Sequence, residues 1–194
     1  MVDIFFAVDG EMTGSKSPEE YQLIQIGVAG ERAYDMDDVF VSDIGYDDGK
    51  FKFTEEALKV NKFTPERITA GPKPWIVDAD LVGWLLDNHG IENKCIAVGW
   101  NVGSFDMPFV RKYLPESAKM FSYRSLDLNS VCFTLADVTG FSWSTIKHHA
   151  KIFAENTIPG TPDWHNAGYD ALASLRAWEY LKSLIVIREQ HHHL

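Results

Sequence analysis

The chain has 194 residues, 45% of them hydrophobic and 24% charged, and its 28 acidic and 18 basic side chains give a formal charge of −10. At roughly 100–200 residues per domain it is one domain long, with enough apolar material for a sizeable core, which excludes a disordered or fibrous chain. The acidic balance excludes a protein that coats polyanions by broad counterion release, but not a nucleic-acid enzyme with a small, local contact surface.

Residues 4–8 (IFFAV) form an apolar run bounded by Asp9-Gly10, the pattern of a strand covered on both faces. Residues 21–29 (YQLIQIGVA) alternate as a second strand, and residues 38–44 supply a third. Asp47-Asp48-Gly49-Lys50 marks a turn, Phe51 and Phe53 alternate across a short extended piece, and Thr54 caps a short helix holding Ala57 and Leu58. A helix is predicted over 77–88, with Leu81, Trp84, Leu85 and Leu86 at helical spacing and an end at His89-Gly90. Next come a buried strand at 96–99, a helix at 107–114, a short strand at 121–123 and helices at 126–138 and 142–153. After the Pro159-Gly160-Thr161-Pro162 loop, a long helix runs from about 166 to 188, with Leu175, Trp178 and Leu181 as its apolar stripe. Three early strands joined by turns, then strands alternating with helices, predict an α/β fold: a mixed sheet flanked by helices. No repeat or linker divides it, so residues 1–188 read as one domain. Residues 189–194 (EQHHHL) read as a tail or purification-tag remnant that carries no functional argument.

Cys95 and Cys132 lack the C-x-x-C spacing of a zinc or redox site, and two thiols in a domain of this size suit a reducing cytoplasm. The N-terminal run Met1-Val2-Asp3-Ile4-Phe5-Phe6 has no basic region before it and is far shorter than the ~20 residues that cross a bilayer. A soluble, cytoplasmic protein is expected.

Three short segments concentrate the chemistry. Asp9-Gly10-Glu11 ends the first buried strand; side chains at i and i+2 share a strand face, so both carboxylates can point at one spot where hard divalent cations would find oxygen ligands. A solvated turn is the competing reading. In Gly99-Trp100-Asn101-Val102-Gly103-Ser104-Phe105-Asp106, a buried strand runs into a polar loop, the place where ligands gather in α/β sheets. The alternative is that Asp106 merely caps the helix that contains Pro108. In His165-Asn166-Ala167-Gly168-Tyr169-Asp170, two helical residues five apart would point in different directions, so both face one site only if His165 lies in the loop and Asp170 on the first helical turns. Here the alternative is an aspartate that only complements the helix dipole.

Taken jointly, D-x-E, then D, then H-x-x-x-x-D in an α/β chain closely resembles the DEDDh (DnaQ-like) 3′–5′ exonucleases of the ribonuclease-H-like superfamily, over residues 5–181. Asp9-Gly10-Glu11-Met12-Thr13-Gly14 is similar to the first motif of the oligoribonuclease branch, whereas Ala57-Leu58-Lys59-Val60-Asn61 looks more like the proofreading-subunit branch. Asn101 through Asp106 with Met107-Pro108-Phe109 resembles the second motif, and His165-Asn166-Ala167 with Asp170-Ala171 the third. The resemblance implies a ribonuclease-H-like mixed five-stranded sheet and hydrolysis of single-stranded 3′ ends to nucleoside 5′-monophosphates. It also implies two divalent cations, Mg2+ or Mn2+. Asp9, Glu11 and Asp170 would hold the first, and Asp9 would bridge to a second that Asp106 supports through water. Two metals about 3.5–4 Å apart serve the attacking and leaving oxygens of a phosphodiester, and four carboxylates nearly balance their charge. His165 is implied as general base, since imidazole titrates near 6.5 and accepts a proton at neutral pH. Met12 and Thr13 would meet the terminal 3′-hydroxyl, with Leu58, Asn61 and Phe105 packing on or hydrogen-bonding to the last nucleotides; simple core packing is the alternative for Leu58 and Phe105.

The expected partner is a single-stranded 3′ end, and a homodimer or a polymerase partner is left open. DNA and RNA are not separated by the conflicting branch signals. Two other functions compete: a non-catalytic nucleic-acid- or polymerase-binding module, which has no need of both Asp106 and His165, and a phosphatase of small phosphoesters. The basic cluster Lys147-His148-His149-Ala150-Lys151 reads either as a phosphate contact or as a solvated helix face, and Arg111, Lys112 and Arg124 read the same way. The acidic stretch Asp35, Asp37, Asp38, Asp43, Asp47, Asp48 lacks calcium-loop spacing and reads as a solvated hairpin region.

Overall fold

The computed structural model describes residues 4–89 and 94–191, so the extreme ends of the N-terminal run and of the histidine tail lie outside the described residues, as does Gly90. Strand β1 (Phe5–Met12) pairs antiparallel with β2 (Leu23–Gly30), which pairs antiparallel with β3 (Val39–Asp43). On its other side β1 runs parallel to β4 (Cys95–Gly99), and β4 parallel to β5 (Phe121–Asp127), giving the order β3-β2-β1-β4-β5. Parallel neighbours need crossovers. Helices α1 (Glu55–Asn61), α2 (Pro65–Ala70) and α3 (Pro74–His89) connect β3 to β4, and α4 (Asp106–Tyr113) with α5 (Pro115–Met120) connects β4 to β5. The chain ends with α6 (Leu128–Thr139), α7 (Trp143–Thr157) and α8 (Ala167–His191).

The strand period of two sorts β1 between two cores. Phe6 and Val8 pack with Val77, Leu81, Leu85, Met107 and Val110 beneath α3 and α4. Ala7 packs on the opposite face with Leu128, Ile146, Leu172 and Leu175 of α6, α7 and α8. The small side chains of Ala7, Ala29, Ala171 and Ala173 let α8 lie close to the sheet. Asp9 and Glu11 continue the face of Ala7, so the fold aims both carboxylates toward the α8 side.

The elements differ from the sequence expectations where pairing across the sheet decides. Asp9-Gly10 does not end β1: Asp9 pairs with Gly27 and Glu11 with Gln25, with an irregularity only between Glu11 and Met12. All eight residues of β2 are buried, because both sheet faces are covered. Leu126 and Asp127 belong to β5 rather than to a helix, pairing with Val98 and Gly99, while the Asp127 side chain caps α6 by accepting from the Asn129 amide. Phe51 and Phe53 form no strand. Helices α2 and α5, too short to show a periodic pattern, each start at a proline that suits a first helical turn. Among the described residues, no helix is long and apolar enough to cross a membrane.

Candidate active site

Beyond Val8 the β1 edge outruns its partner, since β1 and β4 pair only through Ala7 and Val98. The Gly10 amide that is left there donates to Asp106 Oδ1 at 3.0 Å. Asp106 is 4% exposed. Its carboxylate thus reaches across to the D-x-E strand from the first residue of α4, which is more than a local helix cap requires.

The third segment is held from β2. Gln25, a polar side chain buried in an apolar strand, accepts from the Ala167 amide at 2.8 Å and donates to Asp43 Oδ1 at 2.8 Å. Arg67 in turn grips Asp43 through Nε (2.7 Å) and Nη2 (2.8 Å). Gly27 permits this approach, because a Cβ built there would lie 2.0 Å from the Ala167 carbonyl oxygen. With the start of α8 so placed, His165 lies in the preceding loop with φ +66°, and its amide donates to Asp170 Oδ2 at 3.0 Å. The loop is also tied to α1: Lys62 Nζ donates to Asp163 Oδ1 and to the Trp164 carbonyl, each at 3.0 Å.

The result brings together the side chains that the sequence singled out. Glu11, His165 and Asp170 each offer a ligand atom within 4.8 Å of the others. Burial first, then the charges of Asp106, Asp170 and Glu11, raise the Asp9 carboxyl well above the usual range. Burial followed by Asp170 and Asp106 pushes Glu11 to about 8, against a smaller pull from Lys62. Burial lifts Asp106 to about 7, opposed by the Gly10 amide. Burial lifts Asp170 to about 6, opposed by the amide and ring of His165 and by Lys151. Carboxylates in this condition lack positive charge. Asp170 Oδ1 is moreover buried without a hydrogen-bond partner. An oxygen-rich donor set with an orphaned carboxylate oxygen fits a hard divalent cation.

A cleft of about 280 Å³ opens beside Glu11, with Met12, Val60, Asn61 and Phe105 in its lining. Asn61 Nδ2 donates to the Met12 carbonyl at 2.8 Å, tying α1 to the end of β1. Thr13 and Leu58 do not line this cleft. Thr13 is fully buried, with its hydroxyl accepting from the Gln22 amide at 2.9 Å and its carbonyl accepting from the Thr54 amide at 2.8 Å. Leu58 packs with Ile24, Phe63 and Ile68. A larger cavity of about 620 Å³, between β5, α6 and α8, is lined by Leu126, Val131, Leu135 and Leu184 and holds none of the converging carboxylates. Chemistry, rather than volume, marks the smaller cleft. Sequence reasoning passed over Gln25, Gly27 and Lys62; only the glutamine inside Leu23-Ile24-Gln25-Ile26 offered a signal, as a polar residue in an apolar run.

Neither a family model nor a curated protein matches the chain. Among solved structures, E. coli exonuclease I in complex with a dT13 oligonucleotide is similar at a TM-score of 0.65 and 16% identity, over 93% of this chain and 41% of that one. A further E. coli exonuclease I structure, a zinc-bound complex with single-stranded DNA, matches at 0.59 and 16% identity, over 98% of this chain and 42% of that one. A chain of the yeast NOT1 MIF4G domain structure co-crystallized with CAF1 matches at 0.62 and 14% identity, over 94% of this chain and 80% of that one. This chain therefore spans well under half the length of the exonuclease I chains. The mixed five-stranded sheet flanked by helices is the ribonuclease-H-like fold of these neighbours.

Proposed function

We propose that the chain is a metal-dependent 3′–5′ exonuclease that hydrolyses phosphodiester bonds at single-stranded 3′ ends and releases nucleoside 5′-monophosphates. The observation that carries this reading is the convergence of Asp9, Glu11, Asp106 and Asp170 from three distant segments, with Asp170 Oδ1 buried and unpartnered and His165 at the rim. A small-molecule phosphatase is less favoured, because a cleft lined by Met12, Asn61 and Phe105 adjoins the carboxylates and suits a terminal nucleoside. The neighbours crystallized with single-stranded oligonucleotides support the same choice.

Asp9, Glu11, Asp106 and Asp170 would hold divalent cations, which supply Lewis-acid activation of the attacking water and charge stabilisation of the departing oxygen. The chain's residues do the rest. Asp106, bound to the Gly10 amide, fixes the D-x-E strand against α4. Asp170 orients the His165 loop through the His165 amide, leaving the imidazole free to take the proton of the attacking water. The cleft beside Glu11 positions the last nucleoside, with Asn61 and Met12 held as one unit by their hydrogen bond.

The test is incubation of 5′-labelled single strands, matched in DNA and RNA, with Mg2+ or Mn2+. A ladder shortening from the 3′ end is expected, and the faster strand identifies the substrate. Internal cleavage, or none with either metal, would overturn the reading.

A further inference from the structure

Two tryptophans flank the segments that carry the site residues: Trp100 directly follows β4, at the start of the loop to Asp106, and Trp164 directly precedes His165. Each carries a lysine over its ring. Lys147 Nζ lies 4.6 Å from the Trp100 ring centroid, and Lys151 Nζ lies 5.3 Å from that of Trp164. The two lysines are i and i+4 on α7, about 6 Å apart along its axis. Lys147 also lies 5.7 Å from the Trp143 ring and donates to Asn129 Oδ1 at 2.9 Å, while Asn129 Nδ2 donates to Asn101 Oδ1 at 2.9 Å. Its cation is thus held in place rather than waving in solvent. At the first residue of α7, the Trp143 ring meets that of Phe133 on α6 at 5.0 Å, and the two stay 39% and 54% exposed.

The nearby acids make their hydrogen bonds and ion pairs with other groups, although Asp170 and Asp127 feel the charges of Lys151 and Lys147. Glu155 accepts from Trp164 Nε1, Asp163 is paired with Lys62, and Asp127 accepts from the Asn101 and Asn129 amides. Among the described residues, neither Lys147 nor Lys151 is ion-paired to a carboxylate. In a chain with 28 acidic and 18 basic residues, two lysines without an ion-paired carboxylate, each over a half-buried tryptophan ring, form a local concentration of positive charge. Cations over a row of aromatic rings suit a single strand, whose phosphates meet the cations and whose bases stack whatever their sequence.

We propose that the surface along α7, from Lys151 and the adjacent loop residue Trp164 through Lys147 to Trp143 and Phe133 of α6, is a binding track for the body of a single-stranded polynucleotide outside the terminal cleft. The inference rests on the reading that the carboxylate site receives a 3′ end. Residues 143–151 span about 12 Å of helix, long enough to engage more than one nucleotide. The track supplies a sequence-independent electrostatic attraction for the strand.

The experiment measures binding of the full chain to a 5′-fluorescent, twelve-nucleotide oligothymidylate with phosphorothioate linkages, in Mg2+, between about 50 and 200 mM salt. Each phosphate contact on a single strand adds about −0.7 to the slope of log affinity against log salt. Lys151→Gln is expected to reduce the slope by about 0.7 and Lys147→Gln/Lys151→Gln by about 1.4. Trp143→Ala is expected to weaken binding about tenfold. Lys119→Gln, a surface control on α5, should leave both unchanged. Lys151 is exposed, so its single variant decides the matter even where loss of the Lys147–Asn129 bond unfolds the double variant. Unchanged slopes in folded variants, or a wild-type chain that does not bind the strand at low salt, overturn the track. A wild-type chain that binds with a lysine-dependent slope yet shortens no strand sinks the exonuclease reading and leaves the track standing.

Discussion

His165 occupies the left-handed backbone region, at φ +66°, which a residue with a Cβ adopts only when its surroundings hold it there. The hydrogen bond from its amide to Asp170 and the Lys62 bonds to Asp163 and Trp164 provide that hold. The ring lies within reach of Glu11 and Asp170, so it is placed to act either as a proton acceptor or as a cation ligand, and the two roles separate by experiment. As a proton acceptor, His165→Ala should lower kcat about 10²–10⁴-fold while leaving the affinity for Mn2+, read by calorimetric titration, within a few fold. Equal loss of both would make His165 a ligand. Asp170→Asn should instead abolish activity and weaken Mn2+ binding together, since Asp170 Oδ1 has no other partner. At this scale, the i, i+2 spacing of Asp9 and Glu11 and the loop-then-helix placement of His165 and Asp170 were legible in the sequence. Thr13 was not, because what occupies its hydroxyl is the Gln22 amide, and that contact exists only once the chain has folded back.

Between β2 and the start of α8, two side-chain choices decide where the third chemical segment sits. Gly27 removes a side chain that would strike the Ala167 carbonyl, and Gln25 offers that residue's amide an acceptor. Gly27→Ala should overpack this contact at a cost of about 1–3 kcal/mol, lowering Tm by several degrees. It should also cut kcat up to about 10²-fold by displacing His165 and Asp170 from the carboxylates of β1. Thermal melts and steady-state kinetics on the same preparation check this. A variant that loses stability but keeps full turnover would show that the α8 start adapts. The identity of α8 as a helix was plain from Leu175, Trp178 and Leu181, which form a buried or half-buried stripe as expected. Its seating on Gln25 and Gly27 was not plain, because a glutamine and a glycine have no helix periodicity to report.

Across the whole molecule, buried like charges couple stability to pH. In the unfolded chain, aspartate and glutamate titrate near 4. Folding lifts Asp170 to about 6, Asp106 to about 7 and Glu11 to about 8. Between these limits the folded chain binds more protons than the unfolded one, so this group favours folding at low pH and the advantage is lost as pH rises. Metal-free protein in EDTA should therefore melt progressively lower as pH is raised from about 5 to about 8.5. Millimolar Mg2+ or Mn2+ should raise Tm most at the alkaline end and flatten the slope, because cations bind the folded carboxylates in place of protons. Calorimetry or fluorescence melts across this range check both effects. A Tm in EDTA that rises toward pH 8.5 would contradict the arrangement of the site.

The amino-acid sequence by itself determined the α/β alternation and the strand face that carries Asp9 and Glu11, because periods of 2 and 3.6 are local properties of the backbone. It also determined that Thr54 and Ser142 would start helices, since a cap bonds only to its own next turn. The tertiary structure decided how far β1 and β5 extend, because their last ladder partners, Leu23 and Gly99, lie on other strands. It decided too that Asp106 would grip the Gly10 amide 96 residues away and that Asp170 would keep an oxygen unsatisfied. Such contacts depend on where packed layers place distant backbone groups, and no window of neighbouring residues contains that information.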